Sequence, residues 1–467
     1  MKNSFVLTGL ALILLLSTCE KDDTPTPNPE PNPAKPDLEA IIDDAPVDPY
    51  QVALDLLAQT QWPVEEEVDL PGSGNQAFLN YEREVIAGNI VHYSFQVQMG
   101  DDPNDKIGIH RVVREMSPNQ PIKNARGFFF QHGDAKDFRG MMLPGTNSPT
   151  TPNDFGMAVF LARNDIDVWG IDQAWTLTPA EVTDHSFMAD WGIQKQVTDL
   201  RQAMAVARIT RFLTGSGLDP FILAGYSSGV VTGFSALNEE TQLASAVQHV
   251  DGYIPLDLAI KSDDATWNAF WQGYYAQVKP VYDSGEFAEL VPFQPLGQLA
   301  RNNPSGDSEF IPGFTNLQTA LFMGIGPVFE VVPFHYLAGE WENNLPAGVQ
   351  YLTIDQWLDF MESAPPYQSR LFIVEYAGLL GGGNDLPFDD YFSDITVPIF
   401  NISPAGGFGE YTKYGTTLMG SSEVKHLIIK LESEENVLLD FAHIDIFIAD
   451  NAESLVWQPL LEWVNTH

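Results

Sequence analysis

The chain has 467 residues, of which 44% are hydrophobic and 12% aromatic. That is enough to bury a sizeable core, and it excludes a wholly disordered polypeptide. Against 23 Lys plus Arg stand 63 Asp plus Glu, a formal net charge of −40. So acidic a chain repels phosphate backbones, which argues against a nucleic-acid partner. The single cysteine excludes an internal disulfide framework and any Cys-rich zinc or iron–sulfur site.

Lys2 precedes an apolar run from Phe5 to Leu16 that is too short for a permanent membrane span and reads as a secretory signal. The run closes on Leu16-Ser17-Thr18-Cys19, where the one cysteine of the chain stands. This closing tetrapeptide resembles a bacterial lipoprotein lipobox, in which the cysteine is acylated and becomes the new N-terminus. Glu20-Lys21-Asp22-Asp23 is similar to the acidic surface-export signals of Bacteroidetes lipoproteins. The resemblance implies a signal peptide over residues 1–19, a lipid anchor on Cys19 and an extracytoplasmic place on a bacterial membrane, the outer one. Residues 20–45 carry Pro25, Pro27, Pro29, Pro31, Pro33 and Pro36, a polar tether that favours extended polyproline II.

Beyond the tether, Val91–Val97 and Ile107–Val113 alternate apolar and polar residues around a polar turn and predict an antiparallel hairpin. The acids of that turn, Asp101, Asp102 and Asp105, lack the glycine and distal glutamate of a calcium loop. Gly127–Gln131, Asp167–Ile171, Pro220–Ala224 and Tyr253–Leu256 read as short buried strands. Between them, Val159–Arg163 and Trp191–Leu213 have helical character; in the second, Ile193, Val197, Leu200, Met204 and Ala207 recur at helical spacing. Strands alternating with helices predict an α/β fold with a mostly parallel central sheet covered on both faces, the hairpin supplying an antiparallel N-terminal edge. After Leu256 the rhythm lapses. Residues 258–394 are rich in aromatics, including Trp267, Trp271, Tyr274, Phe310, Phe329, Phe334, Trp341, Trp357 and Phe360, and read as an insertion. Strands resume at Val397–Ser403 and Lys425–Leu431, and a helix covers 452–464. The core therefore runs over 46–257 and 395–467, with 258–394 between its two parts.

Gly225-Tyr226-Ser227-Ser228-Gly229 matches G-x-S-x-G, directly after a buried strand and at the start of a helical segment. That is the setting of a nucleophile elbow, where small residues allow a sharp turn to present the serine. With Phe128-Phe129-Phe130-Gln131-His132-Gly133-Asp134, similar to a strand and His-Gly oxyanion loop, and Leu161–Gly170, similar to the next helix and strand of acid-lipase-like members, the chain resembles the α/β-hydrolase family over most of 120–467. The resemblance makes 258–394 a cap or lid. It implies that the backbone N–H groups of Asp134 and Ser228 hold the oxyanion, that His132 is structural, and that neither metal nor organic cofactor is needed.

A serine hydroxyl needs a base to take its proton. Family order requires the histidine to follow the serine, which leaves His249, His335, His426, His443 and His467. His467 is terminal, His426 lies in a strand, His249 stands at the wrong end of the sheet, and His335 belongs to the insertion. His443 remains, in Asp440-Phe441-Ala442-His443-Ile444-Asp445, where Asp445 reads as a cap or local support. The third member is expected to be Asp257, with Glu410 as the alternative. The loop after the penultimate strand, 404–410, holds no Asp and offers only Glu410; Asp257 ends a buried strand, where an unpaired charge would be costly. These residues lead to the expectation of a serine ester hydrolase acting on small-molecule esters. A peptidase or amidase with the same triad, and a ligand-binding lipoprotein without catalysis, are the alternatives.

Overall fold

The computed structural model describes residues 78–328 and 334–467. The expected signal peptide, Cys19, the 20–45 tether and Phe329 lie outside the described residues. In the middle of the chain, five- and six-residue runs such as Gly127–Gln131 are buried at every position, so each needs cover on two faces. Apart from the short Gln120–Pro121 beside β3, the strands of the central sheet are β1 Phe78–Ala87, β2 Ile90–Gln98, β3 Lys106–Ser117, β4 Gly127–Gln131, β5 Asp167–Asp172, β6 Phe221–Tyr226, β7 Val250–Leu256, β8 Ile399–Pro404 and β9 Val424–Ile429. They lie side by side in the order β1-β2-β3-β5-β4-β6-β7-β8-β9. From β5 to β9 every pairing is parallel, whereas β1, β2 and β3 join antiparallel. Alternate side chains serve opposite faces: Phe128 and Phe130 pack into one apolar cluster and Phe129 into the other.

Helices cover both faces: α1 Met157–Arg163, α2 Ile193–Leu213, α3 Ser228–Glu240 and, after Leu256, α4 Ala265–Asp283, α5 Phe293–Asn302, α6 Asn316–Ile325, α7 Ile354–Glu362 and α8 Arg370–Leu380, with α9 Gln458–Val464 closing the chain. The polypeptide leaves the sheet at Leu256 and returns at Ile399. In that interval the helix starts are written locally. Asp264 accepts from the N–H groups of Thr266 and Trp267, and Thr315 with Gln318 and Thr353 with Gln356 form reciprocal capping boxes. Trp267, Trp271, Trp357 and Phe360 are buried, while Phe310 stands out at 61% exposure.

Two details depart from the sequence reading. The outermost strand is β1, ahead of the expected hairpin; its Glu82, Arg83 and Glu84 hide the strand pattern and suit an edge that must not recruit another chain. The final helix is shorter than 452–464, because Glu453–Trp457 is a widened π-helical turn that precedes α9.

Candidate active site

Register decides which residues meet. Parallel pairing sets Gln131 beside Gly225, Tyr226 beside Leu256 and Leu256 beside Ile402. The chain therefore leaves β4, β6, β7 and β8 at one level, and Gly133, Ser227, Asp257 and Ser403 gather on one rim of the sheet.

Ser227 stands between β6 and α3 at φ 53°, ψ −129°. Such a conformation costs a residue with a Cβ about 1–3 kcal/mol and persists only when its surroundings impose it. Here they do. The turn packs the start of α3 against the β4 loop so closely that a Cβ on Gly229 would lie 2.6 Å from the Gln131 carbonyl oxygen. On the other side, a Cβ on Gly133 would lie 2.6 Å from Ser227 Cβ and 3.3 Å from its Oγ. Ser228 opens α3, so its backbone N–H has no helical acceptor and the positive end of the helix faces the same space.

Behind the serine, the His443 Nδ1 atom lies 2.6 Å from Asp257 Oδ2. The carboxylate only accepts, so Nδ1 carries the hydrogen and Nε2 is left as the basic nitrogen. Asp257 is fully buried, and its other oxygen accepts from the Phe408 N–H at 2.9 Å and from the Ser403 hydroxyl. The His443 ring stacks on Tyr226, the residue before Ser227, with centroids 4.6 Å apart, and Phe334 flanks it at 4.8 Å. Its loop is tied down on both sides: the His443 carbonyl accepts from the Tyr226 hydroxyl at 3.1 Å, and the Ile444 N–H donates to the Tyr336 carbonyl at 2.7 Å. The Ala442 N–H donates to Asp445 at 2.9 Å, which makes Asp445 a support of this loop. Burial pushes the Asp445 carboxyl up to about 7.

Glu410 is not behind the imidazole. Its side chain is 71% exposed and pairs with Lys413 at 2.7 Å. Ser403, at the end of β8, is level with Asp257 on the next strand and donates a hydrogen bond to it, so the carboxylate that meets His443 comes from β7. Ser403 and the Phe408 N–H were not foreseen as partners of the acid; only the missing Asp in the 404–410 loop pointed toward a neighbouring strand.

The other histidines are placed as follows. His132 is buried, its Nε2 accepting from the Gln173 N–H at 3.0 Å and its Nδ1 donating to the Gly133 carbonyl at 2.8 Å, so both nitrogens shape the loop. His249 precedes β7 at the opposite end of the sheet. His426 is in β9, and His467 pairs with Glu423 at 2.8 Å. His335 comes closer than its place in the insertion suggested, since its carbonyl accepts from the His443 N–H at 3.4 Å and its ring lies against the Asp440 carbonyl.

Asp134 and Ser228, expected to supply the oxyanion donors, also meet through their side chains. The Ser228 hydroxyl donates to Asp134 Oδ1 at 2.7 Å, and the Tyr376 hydroxyl, from α8, donates to Oδ2 at 3.0 Å. Burial raises the Asp134 carboxyl to about 6, although both hydroxyls pull it down. Among the described residues, no group of three or more His, Cys, Asp or Glu is placed to hold a metal ion.

No known protein-family model matches this sequence, and no curated protein does. Among solved structures, a candidate lipase from Sulfolobus solfataricus superposes with a TM-score of 0.55 at 17% identity, over 83% of this chain and 99% of that one. The chain has the α/β-hydrolase fold. A thermophilic esterase from Thermogutta terrifontis is similar at TM-score 0.39 and 12% identity, over 79% of this chain and 97% of that one. An α/β hydrolase from a Nostoc species is similar at TM-score 0.40 and 11% identity, over 83% and 99% of the respective chains.

Proposed function

We propose that this α/β-hydrolase-fold chain is a serine hydrolase that cleaves carboxylic esters through an acyl-enzyme. The observation that carries the reading is the buried Asp257–His443 pair lying against Tyr226, one residue from a serine held in strained backbone geometry. In this mechanism Ser227 Oγ attacks the carbonyl carbon while His443 Nε2 takes its proton. Asp257 holds the ring orientation and stabilises the imidazolium that forms. The N–H groups of Asp134 and Ser228 receive the developing oxyanion, each donor being worth about 3–4 kcal/mol at the transition state. His443 then returns the proton to the leaving alcohol, and water, deprotonated by the same nitrogen, releases the acid.

Labelling by a fluorophosphonate probe that vanishes in Ser227→Ala tests the nucleophile. Turnover of short nitrophenyl esters but not the matching anilides supports an esterase; the reverse order would make the chain an amidase, and absence of both labelling and turnover would make it a binding protein. The lipobox resemblance supports a second part of the proposal, that Cys19 carries a lipid anchor and the body works outside the cytoplasm. Incorporation of radiolabelled palmitate in a bacterial host, lost in Cys19→Ala, is the expected result; incorporation that survives the substitution would refute it.

A further inference from the structure

The catalytic scheme uses only the backbone of Asp134, yet its carboxyl group is among the most unusual features of the site. It sits on the residue after Gly133, which touches Ser227, and is bonded to the side chain of Ser228, which follows Ser227. It is thus fixed from two sides beside the reacting atoms. A third tie, from the Tyr376 hydroxyl of α8, holds it against the inserted segment. The residue as a whole is half-buried, beside the serine turn. A carboxylate accepts about four hydrogen bonds, and the two hydroxyls occupy two of those places. Among the described residues no lysine, arginine or histidine forms an ion pair with it, and Arg370, which faces Glu289, is paired with that residue at 3.1 Å.

We propose that the Asp134 carboxylate is a specificity-determining group of this site, a fixed negative charge that disfavours anionic substrates and favours cationic ones. This rests on the reading of Ser227 as the nucleophile. A unit charge on the acyl or alcohol arm, were it to come within about 6–8 Å of the carboxylate, would interact with it strongly enough at partly buried sites to change relative rates on the order of tenfold to a hundredfold. Because its carboxyl is raised to about 6, the filter is weak near pH 5 and full above pH 7. The titratable groups that face it are Glu289 and the phenols of Tyr274, Tyr336 and Tyr376, the phenols all held above their ordinary range by burial and therefore neutral across that window. Glu289 is itself raised, mainly by burial, and Arg370 opposes that shift.

The test uses two matched substrate pairs on the wild-type chain and on Asp134→Asn. One is 4-nitrophenyl hexanoate against the 4-nitrophenyl monoester of adipic acid; the other is butyrylthiocholine against its neutral 3,3-dimethylbutyl analogue. The expected result is that Asp134→Asn shifts the charged-to-neutral ratio of kcat/KM by about tenfold or more in at least one pair, towards the anion or away from the cation. If Asp134→Asn does not fold, the cation-to-neutral ratio of the wild type should still rise by about tenfold between pH 5 and pH 8, because the choline charge is fixed. Turnover of the neutral esters with both ratios unmoved, by substitution and by pH, overturns the charge filter alone. Absence of any turnover and of fluorophosphonate labelling overturns the hydrolase reading and the filter with it.

Discussion

Asp257→Asn is the substitution that bears most directly on the mechanism. The carboxylate serves donors on both sides: His443 Nδ1 at one oxygen, the Phe408 N–H and the Ser403 hydroxyl at the other. A carboxamide must present its NH2 to one of these. Turned toward Phe408 it would set donor against donor in a dry site, at a cost of about 1–3 kcal/mol for each unmet group. Turned toward His443 it keeps both other bonds but requires Nδ1 to accept, which moves the ring hydrogen to Nε2. The second arrangement is the cheaper, and it removes the base. The expected loss in kcat is on the order of 10⁴-fold, about 5.5 kcal/mol at the transition state. Nitrophenyl ester turnover measures it, with a thermal melt to show that the variant is folded. Glu410→Gln is the control: it removes one exposed pair with Lys413, worth about 0–1 kcal/mol to stability, and should leave kcat within about twofold. A folded Asp257→Asn retaining more than about a tenth of wild-type kcat, or a Glu410→Gln more damaged than it, would refute this account of the acid.

Further outcomes follow from the same packing. Gly407→Ala would drive a Cβ into Asp257 Oδ2, so it should cost about 1–3 kcal/mol of stability by denaturant titration and lower kcat by tenfold or more as the carboxylate shifts. Asp167 is fully buried and holds Arg111 through bonds of 2.8 and 2.9 Å, with Arg211 at 3.3 Å; Asp167→Ala should lose about 3–5 kcal/mol by the same titration while catalysis in the folded fraction is unaffected. Asp445, raised to about 7 by burial, keeps a proton in the folded state that the unfolded chain releases near pH 4, so ionisation there erodes stability as pH rises from about 4 to about 7. The stability of Asp445→Asn relative to the wild type should therefore increase across that window, by up to about 4 kcal/mol, and level off above it. A difference that stays flat with pH would show that Asp445 is ionised throughout.

What could be read along the chain was whatever is written in neighbouring residues. The elbow at 225–229 is a local matter of small residues after a buried strand, and the strands at 127–131 and 221–226 announce themselves by continuous apolar character. The candidate base emerged because chain order and context left His443 standing among five histidines. The acid was another matter. Its place at the end of a buried strand favours Asp257 over Glu410, but what brings Asp257 within reach of His443 is a register, Leu256 beside Ile402, while Glu410 turns to Lys413 and solvent. The bond from Tyr376 to Asp134 joins residues 242 positions apart, and no local pattern encodes it. Local backbone preference and hydrophobic period act over a few residues and can be read from them. Which side chains share a buried space depends on how strands align and where the inserted segment packs, and that is settled only by the closed sheet and its cover.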